Sequence, residues 1–132
     1  MSPIEVVVEF IHRINQHDPP KLAEMMTKDH VFIDSGGHPA RGRDTMLVGW
    51  RGYYARCPDY RITYDRILAE GPVVGVFGTA SGTIARKGEL LPENQWRTPA
   101  AWRAVVEKEL IKEWQVYADN KAVNEILARV TS

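Results

Sequence analysis

The chain has 132 residues, of which 44% are hydrophobic and 26% are charged, and its 17 basic and 17 acidic residues give a formal net charge of zero. This length predicts a single domain over residues 1–132, and the composition is ordinary for a folded protein. The balanced charge gives no broad basic surface, so we expect neither nucleic acid nor an anionic membrane as a partner.

Cysteine usage and the distribution of apolar residues indicate a cytoplasmic protein. The single cysteine, Cys57, cannot form an internal disulfide, which fits a reducing compartment. The N-terminal stretch MSPIEVVVEF has no basic residue before its apolar run, so we expect no signal peptide. No stretch reaches the roughly 18 apolar residues that a membrane-spanning helix requires.

The first half of the chain is predicted to contain three helices and one strand. Residues 2–14 begin with the helix-capping sequence SPIE and continue with apolar residues at helical spacing. Asp18 and Pro19 are typical of the start of a short second helix. A short strand is predicted over residues 30–34, and a third helix with a bulky, partly aromatic face over residues 43–56.

The second half is predicted to contain four strands and a closing helix. Residues 60–65 alternate between two unlike faces, and residues 73–85 form a glycine-rich strand in which bulges, strong curvature or close approach are expected. Residues 86–99 are predicted to form a loop, with the alternative that Trp96 already belongs to the next strand. Residues 101–119 then form a hairpin and residues 120–130 a helix. These elements predict the α+β class: a curved, mostly antiparallel sheet that forms a cone and is covered by the N-terminal helices.

The register of the hairpin is inferred from its charges and aromatic residues. Residues 107–109 (EKE) are predicted to form the turn, so that Trp102 faces Trp114 and Arg103 faces Glu113 across the strands. A two-residue turn is the alternative, and it would break these pairs. Neither turn contains the glycine that such turns usually prefer.

The two faces of this hairpin differ in character. One face carries the apolar residues Trp102, Ala104, Val106, Leu110, Trp114, Val116 and Ala118. The other face carries Arg103, Val105, Ile111, Glu113, Gln115, Tyr117 and Asp119. This mixed second face is either solvated or the wall of a pocket that holds a few polar groups.

Four stretches of the chain are distinctive: FIDSGGHPARGRD, WRGYYARCPDYRI, GTASGT and WQVYADN. Together, and in this order, they resemble the nuclear transport factor 2-like superfamily, in its SnoaL-like polyketide cyclase and steroid isomerase-like branch. The resemblance implies a cystatin-like or nuclear transport factor 2-like α+β barrel. It also implies a protein that acts without a metal or an organic cofactor and that forms a homodimer through the outer face of the sheet.

The resemblance further implies roles for individual residues. Asp34 matches the general-base aspartate of the steroid isomerases, and Asp119 resembles the acid/base aspartate of the cyclases. Phe10 falls near the position of the tyrosine in the isomerase oxyanion hole. The acid that completes that hole is expected near Pro99, where this chain has none.

Each polar candidate also has a structural interpretation. Asp34 would have a raised pKa at the mouth of an apolar cavity, or it would only form an Asx-turn with the following loop. Asp119 would face the pocket, or it or Asn120 would cap the last helix. His38, in the loop after Asp34, is a candidate proton shuttle or simply an exposed side chain.

Aromatic residues are predicted to line a substrate pocket, although such residues usually pack in a core. The candidates are Trp50, Tyr53, Trp102 and Tyr117, with Tyr53 as a hydrogen-bond donor. No spacing of His, Cys or acidic residues indicates a metal site. The sequence therefore predicts a cofactor-free acid/base enzyme acting on a small, mostly apolar molecule. The alternatives are a non-catalytic ligand-binding domain and an interaction domain that dimerises through its sheet.

Overall fold

The computed structural model describes residues 1–131, which form a six-stranded sheet and four α-helices. In chain order the elements are α1 (Pro3–Gln16), α2 (Pro19–Ala23), β1 (Met26–Ile33), β2 (Pro39–Arg41), α3 (Arg43–Arg56), β3 (Arg61–Glu70), β4 (Val73–Thr83), β5 (Gln95–Glu107), β6 (Leu110–Ala118) and α4 (Lys121–Thr131). One turn of 3-10 helix, Pro92–Asn94, leads into β5. None of the helices in residues 1–131 has the length and apolar content needed to span a membrane.

The start of α1 is built as its sequence predicts. The Ser2 hydroxyl accepts a hydrogen bond from the Glu5 backbone N–H, and the Glu5 carboxylate accepts one from the Ser2 N–H. This capping box satisfies two N–H groups that lack a partner within the helix. The apolar stripe of α1 packs on the sheet through its buried residues Val6, Val7, Phe10, Ile11 and Ile14.

The sheet has the strand order β2-β1-β6-β5-β4-β3. Strands β1 and β6 pair in parallel, and every other neighbouring pair is antiparallel. The predicted α+β class with a mostly antiparallel sheet is therefore confirmed. The sheet does not close on itself, because β2 and β3 remain as its two edges.

Two strands begin early in the chain relative to the predicted boundaries. Strand β1 begins at Met26, so its predicted start at residue 30 is wrong, and β5 begins at Gln95, in agreement with the alternative that Trp96 already belongs to this strand. Pro99 lies within β5, opposite Thr79 of β4. Pairing between β5 and β6 has already ended at Ala118, so the missing N–H of the proline removes no bond to β6.

Strand β4 approaches β3 most closely at Gly78. Gly78 pairs with Tyr64, and the register then shifts so that Asp65 has no partner in β4. A Cβ atom on Gly78 would lie 2.0 Å from the backbone oxygen of Thr63, far inside van der Waals contact. The close approach, one of the alternatives predicted from the glycines of β4, is therefore confirmed, whereas the extra residue of the bulge belongs to β3.

The hairpin between β5 and β6 turns through two residues, so the predicted turn at residues 107–109 is wrong. Lys108 and Glu109 adopt φ angles of 49° and 64°. Positive φ at both central residues gives the mirror-image turn that matches the twist of the strands. Lysine and glutamate rarely adopt this conformation, so their side chains gave no signal for it.

The shorter turn changes the cross-strand pairs. Trp102 now faces Val116, so the predicted direct pair between Trp102 and Trp114 is wrong. The two indoles are diagonal neighbours and stack with ring centroids 6.4 Å apart. Arg103 and Glu113 are also displaced from direct pairing, but their side chains still form an ion pair at 3.3 Å. Diagonal positions remain within reach of long and aromatic side chains.

The two faces of the hairpin have different environments. Trp102, Ala104 and Trp114 are buried, so the tryptophan face is the inner one. A register shift after Val105 turns Ile111 to the inner face, where it is fully buried, contrary to its predicted place on the mixed face. The rest of the mixed face points outward and is partly or fully exposed. It is therefore not the wall of an internal pocket.

The outer face carries two exposed aromatic residues, one on each side of β5. Phe77 of β4 pairs with Ala101 of β5, which pairs with Tyr117 of β6. Phe77 is 46% exposed and Tyr117 is 50% exposed, with the small Ala101 side chain between them. The homodimer through this face, implied by the resemblance, stays a prediction.

The edge strand β3 is bound by side chains from the end of α1. The Asn15 amide nitrogen donates to the Ile62 carbonyl oxygen at 2.9 Å, and its side-chain oxygen accepts from the Ile62 N–H at 2.9 Å. Nε2 of His17, the C-cap residue of α1, lies 2.6 Å from the Tyr60 carbonyl oxygen. These bonds fix α1 against the start of β3.

Helix α4 is predicted correctly and lies near the C-terminal ends of β1 and β6. Its Ile126 is buried. The Arg129 guanidinium donates to the Asn94 side-chain oxygen at 2.8 Å and to the Glu93 carbonyl oxygen at 3.0 Å. These bonds tie α4 to the 3-10 turn that precedes β5.

Candidate functional site

A cavity of about 480 Å³ lies between α3 and the inner face of the sheet. Its volume is within the range of about 300–1,000 Å³ that is usual for small-molecule sites. Its wall is dominated by aromatic side chains, which are Phe32, Trp50, Tyr53, Tyr60, Trp96, Trp102 and Trp114. The cavity is therefore mostly apolar and is shaped by rigid rings.

Helix α3 supplies one side of the cavity through residues at helical spacing. Met46, Gly49, Trp50, Tyr53 and Arg56 recur at helical spacing, so they share one face of α3, and this face is turned to the sheet. Gly49 carries no side chain, so the helix backbone itself borders the open space there. The predicted residues Trp50 and Tyr53 thus lie at the cavity, together with Trp102 from β5.

The aromatic side chains hold one another in place. The rings of Trp50 and Tyr53 meet edge-on with centroids 6.0 Å apart, and those of Tyr53 and Tyr60 meet edge-on at 4.9 Å. Tyr60 in turn contacts Trp96, with ring centroids 6.1 Å apart. Edge-to-face pairs of this kind stabilise by about 0.5–1.5 kcal/mol beyond the buried area. The cavity wall is therefore preorganised.

Tyr53 presents a neutral hydroxyl to the cavity. Burial raises the pKa of its phenol, since the phenolate would lose hydration, and the nearby tyrosine and cysteine side chains act in the same direction. The hydroxyl makes no hydrogen bond to any of residues 1–131. It is therefore available as a donor at neutral pH.

Asp34 lies at the rim of the cavity, and its carboxylate is held by its own loop. One carboxylate oxygen accepts from the backbone N–H groups of Gly36 and His38, each at 2.9 Å. Nδ1 of the His38 ring lies 3.2 Å from the same oxygen. The side chain of Asp34 is 47% exposed. Asp34 thus forms the Asx-turn that its sequence allows as one alternative.

These bonds lower the pKa of Asp34, so the predicted raised pKa is wrong. The backbone N–H of His38 has the largest effect, and the Gly36 N–H and the His38 ring add to it. Partial burial acts in the opposite direction but does not outweigh them. Hydrogen bonds to the charged form stabilise it, and this side chain is too exposed for desolvation to dominate.

His38 does not reach the cavity. Its side chain is 82% exposed, and it contacts Asp34 from outside. It matches the alternative of a histidine that is simply exposed, and its ring also contacts the Asp34 carboxylate.

Asp119 faces an outer cleft rather than the cavity. One of its carboxylate oxygens accepts from the Lys121 N–H at 2.9 Å, at the start of α4, as expected for a capping residue. Asp119 and Asp34 both line this cleft, but only Asp34 also borders the cavity. The next residue, Asn120, borders the cavity and donates to the Ser35 hydroxyl at 2.6 Å. This bond joins the Asp34 loop to α4.

Two predicted pocket residues lie elsewhere. Phe10 is fully buried in the core, where its ring meets Trp114 edge-on at 5.0 Å and lies 6.4 Å from His30. Tyr117 lies on the outer face, because alternate residues of β6 point to opposite sides of the sheet. Neither residue lines the cavity.

Arg56 lines the cavity but is absent from the predicted site. It follows Tyr53 by three positions on α3, so helical spacing is the signal that places the two side chains on one face. Its guanidinium forms no ion pair or hydrogen bond with any of residues 1–131.

No group of three or more His, Cys, Asp or Glu side chains in the described chain is arranged to hold a metal ion. The absence of a metal and of an organic cofactor stays a prediction.

Asp34→Asn is expected to lower the free energy of unfolding at pH 7 and to have a smaller effect at pH 3. The folded-state pKa of Asp34 is lowered, so its charge stabilises the fold above the unfolded-state pKa of about 3.9. This stabilisation disappears as the pH falls through the folded-state pKa. The loss at pH 7 should stay below about 1 kcal/mol, because exposure to water weakens the interaction. Urea denaturation at both pH values measures it.

Asp65→Asn is the matched control for this prediction. Asp65 is exposed in the bulge of β3 and makes no hydrogen bond to residues 1–131. Its substitution should change stability little at either pH. An equal pH-dependent loss in the two variants would contradict the role of the Asp34 turn.

Comparisons with known proteins bear on both the family and the fold. The SnoaL-like domain model matches residues 7–120. A proposed SnoaL-like polyketide cyclase from Shewanella denitrificans OS-217 superposes with a TM-score of 0.82 and 13% identity, over 96% of this chain and 97% of that chain. No curated protein sequence matches the chain.

Two further solved structures are similar. IdmH, a proposed polyketide cyclase from Streptomyces antibioticus, superposes with a TM-score of 0.78 and 22% identity, over 97% of this chain and 99% of its own. An LEH-like epoxide hydrolase from M. tuberculosis gives a TM-score of 0.78 and 19% identity, over 98% of this chain and 91% of its own. At such identities the likeness shows the fold alone.

Proposed function

Since the chain belongs to the SnoaL-like domain family, we propose that it binds a small, flat and mostly apolar molecule in the cavity between α3 and the sheet. The observation that carries this proposal is the cavity wall, in which seven aromatic side chains surround about 480 Å³ of space. Flat rings favour a flat ligand, because offset stacking and edge contacts need planar partners. A ligand with two or three fused rings has suitable dimensions.

The tryptophans of the protein provide a fluorescence signal for ligand binding. All four of its tryptophans, Trp50, Trp96, Trp102 and Trp114, line the cavity. A ligand that enters the cavity should therefore change the intrinsic fluorescence of the protein. Isothermal titration calorimetry gives the affinity independently of that signal.

The test uses a neutral two-ring probe, 2-methoxynaphthalene, and a pair of variants on α3. Gly49→Phe places a ring in the cavity, and a side chain is tolerated at Gly49, since its Cβ would meet only the Met46 side chain, at 3.6 Å. Gly52→Phe is the matched control, because a Cβ there meets nothing within 4 Å and Gly52 does not line the cavity. Both changes also remove a helix-destabilising glycine.

The wild type and Gly52→Phe are expected to bind the probe with equal affinity, and Gly49→Phe at least tenfold more weakly. Equal binding by all three proteins would place the probe outside the cavity and contradict the proposal. The absence of binding to the wild type would contradict it as well. Circular dichroism of each variant establishes that the fold is retained.

We also propose, as a second candidate, that Asp34 accepts a proton from the bound molecule. Asp34 is the one carboxylate among residues 1–131 that lines the cavity, and its lowered pKa keeps it ionised at neutral pH. An ionised carboxylate at the rim is a base for an acidic C–H next to a carbonyl, and the hydrogen bonds that lower its pKa make it a weaker base than a free aspartate. Asp119, which was expected to share this role, lies in the outer cleft.

This chemistry has a direct readout in exchange of the ligand's own protons. The wild type should accelerate deuterium incorporation at the carbon next to the carbonyl of 2-tetralone in D2O, followed by proton NMR. Asp34→Asn should bind 2-tetralone but lose the acceleration. Equal exchange rates with both proteins would remove Asp34 as the base and leave the binding proposal standing.

A further inference from the structure

The polar groups that line the cavity and have no hydrogen-bond partner among residues 1–131 are mostly donors. Asp34 already accepts three hydrogen-bond contacts from its own loop, and the Asn120 amide donates to Ser35. The Thr98 hydroxyl donates to the Asp119 carbonyl oxygen at 3.2 Å. In contrast, the Tyr53 hydroxyl and the Arg56 guanidinium have no acceptor among residues 1–131.

These two free donors lie side by side. Tyr53 and Arg56 are three positions apart on α3, a spacing that brings side chains together on one face of a helix. Both residues line the same cavity. Tyr53 reaches from the aromatic wall, and Arg56 stands at the exposed rim. An acceptor group on a ligand would meet both.

We propose that Arg56 and Tyr53 form the recognition site for a carboxylate, so that the preferred ligand is a flat aromatic or polycyclic carboxylic acid. This inference rests on the proposed binding function. The planar guanidinium can donate two parallel N–H groups to one carboxylate, and the Tyr53 hydroxyl supplies a third donor. The rings of the ligand then pack against the tryptophans of the cavity wall.

The charges at the rim support one orientation of such a ligand. Asp34 is ionised and repels an anion, whereas Arg56 is always charged and attracts it. The acid group is therefore placed at the α3 side of the rim, away from the Asp34 loop. Because Arg56 is exposed, its attraction is screened by salt.

The test compares two ligands that differ in charge but share their rings, 2-naphthoate and methyl 2-naphthoate. Calorimetry at pH 7.5 measures both affinities in the wild type, Arg56→Gln, Tyr53→Phe and Arg51→Gln. Arg51 is exposed on the same helix and does not line the cavity, so Arg51→Gln is the matched control for lost charge.

The wild type and Arg51→Gln are expected to bind the carboxylate about tenfold more tightly than the ester at low salt, and this preference should shrink as salt is added. Arg56→Gln should lose the preference while keeping its affinity for the ester. Tyr53→Phe should weaken carboxylate binding by a few-fold. The inference is wrong if the wild type binds both ligands equally or if Arg56→Gln retains the preference. If the wild type binds neither ligand, the binding proposal is overturned as well. If it binds both ligands equally, only the carboxylate inference is wrong.

Discussion

Gly78→Ala is expected to lower the free energy of unfolding by about 3 kcal/mol or more, at the upper end of what overpacking usually costs. The new Cβ would lie 2.0 Å from the Thr63 carbonyl oxygen and 2.5 Å from the Tyr64 Cα. Both are backbone atoms of the neighbouring strand, so no side-chain rotation relieves the clash. The two strands would have to separate at the bulge. Urea denaturation followed by tryptophan fluorescence measures the loss.

The same strand offers a control at Gly75. A Cβ at this position would meet only the Phe77 ring, at 3.6 Å, which is ordinary van der Waals contact. Gly75→Ala should change stability by less than about 1 kcal/mol, since it also reduces the freedom of the unfolded chain. Equal losses at the two positions would mean that β3 and β4 do not approach closely at Gly78.

Trp114→Ala is expected to destabilise the protein by about 3–5 kcal/mol, as is usual for truncation of a large buried aromatic residue. Trp114 is 1% exposed, stacks on Trp102 and contacts the edge of Phe10. It also borders the cavity, so its removal would enlarge a space that already exists. Chemical denaturation followed by circular dichroism is the appropriate measurement, because fluorescence would lose one of its reporters.

Tyr117→Ala is the control in the same strand. Tyr117 is half exposed on the outer face, and its truncation should cost less than about 1 kcal/mol in a monomer. If Trp114→Ala and Tyr117→Ala lowered the free energy of unfolding by similar amounts, the prediction that β6 stabilises the fold mainly through its buried inner face would be wrong.

The helices and the fold class were predictable because their signals are local. Ser2 and Glu5 cap α1 through neighbouring atoms, and the apolar residues of α1 follow a regular period. The hairpin register was not predictable, because it depends on Lys108 and Glu109 adopting positive φ angles. Strand β2 is only three residues long and forms by pairing with β1, so its own residues carry little strand signal.

The candidate site was predictable only where its signals are local in the sequence. Trp50 and Tyr53 follow helical spacing, so their common face is visible in the sequence. The lowered pKa of Asp34 depends on the backbone N–H groups of a folded loop, which composition does not reveal. Asp119 and Asn120 are both good capping residues, and only the path of the chain decides which of them turns towards the cavity.

The paired hydrogen bonds between Asn15 and Ile62 have a consequence for how this protein avoids polymerising. An edge strand with free N–H and C=O groups invites a strand from another molecule. The Asn15 amide occupies one such donor and acceptor on β3, in the place where a foreign backbone would bind. At the opposite edge, β2 is short and begins with Pro39, which has no N–H to offer. Extension of the sheet into a fibre is thereby disfavoured at both ends, and copies that associate are directed to meet through their faces.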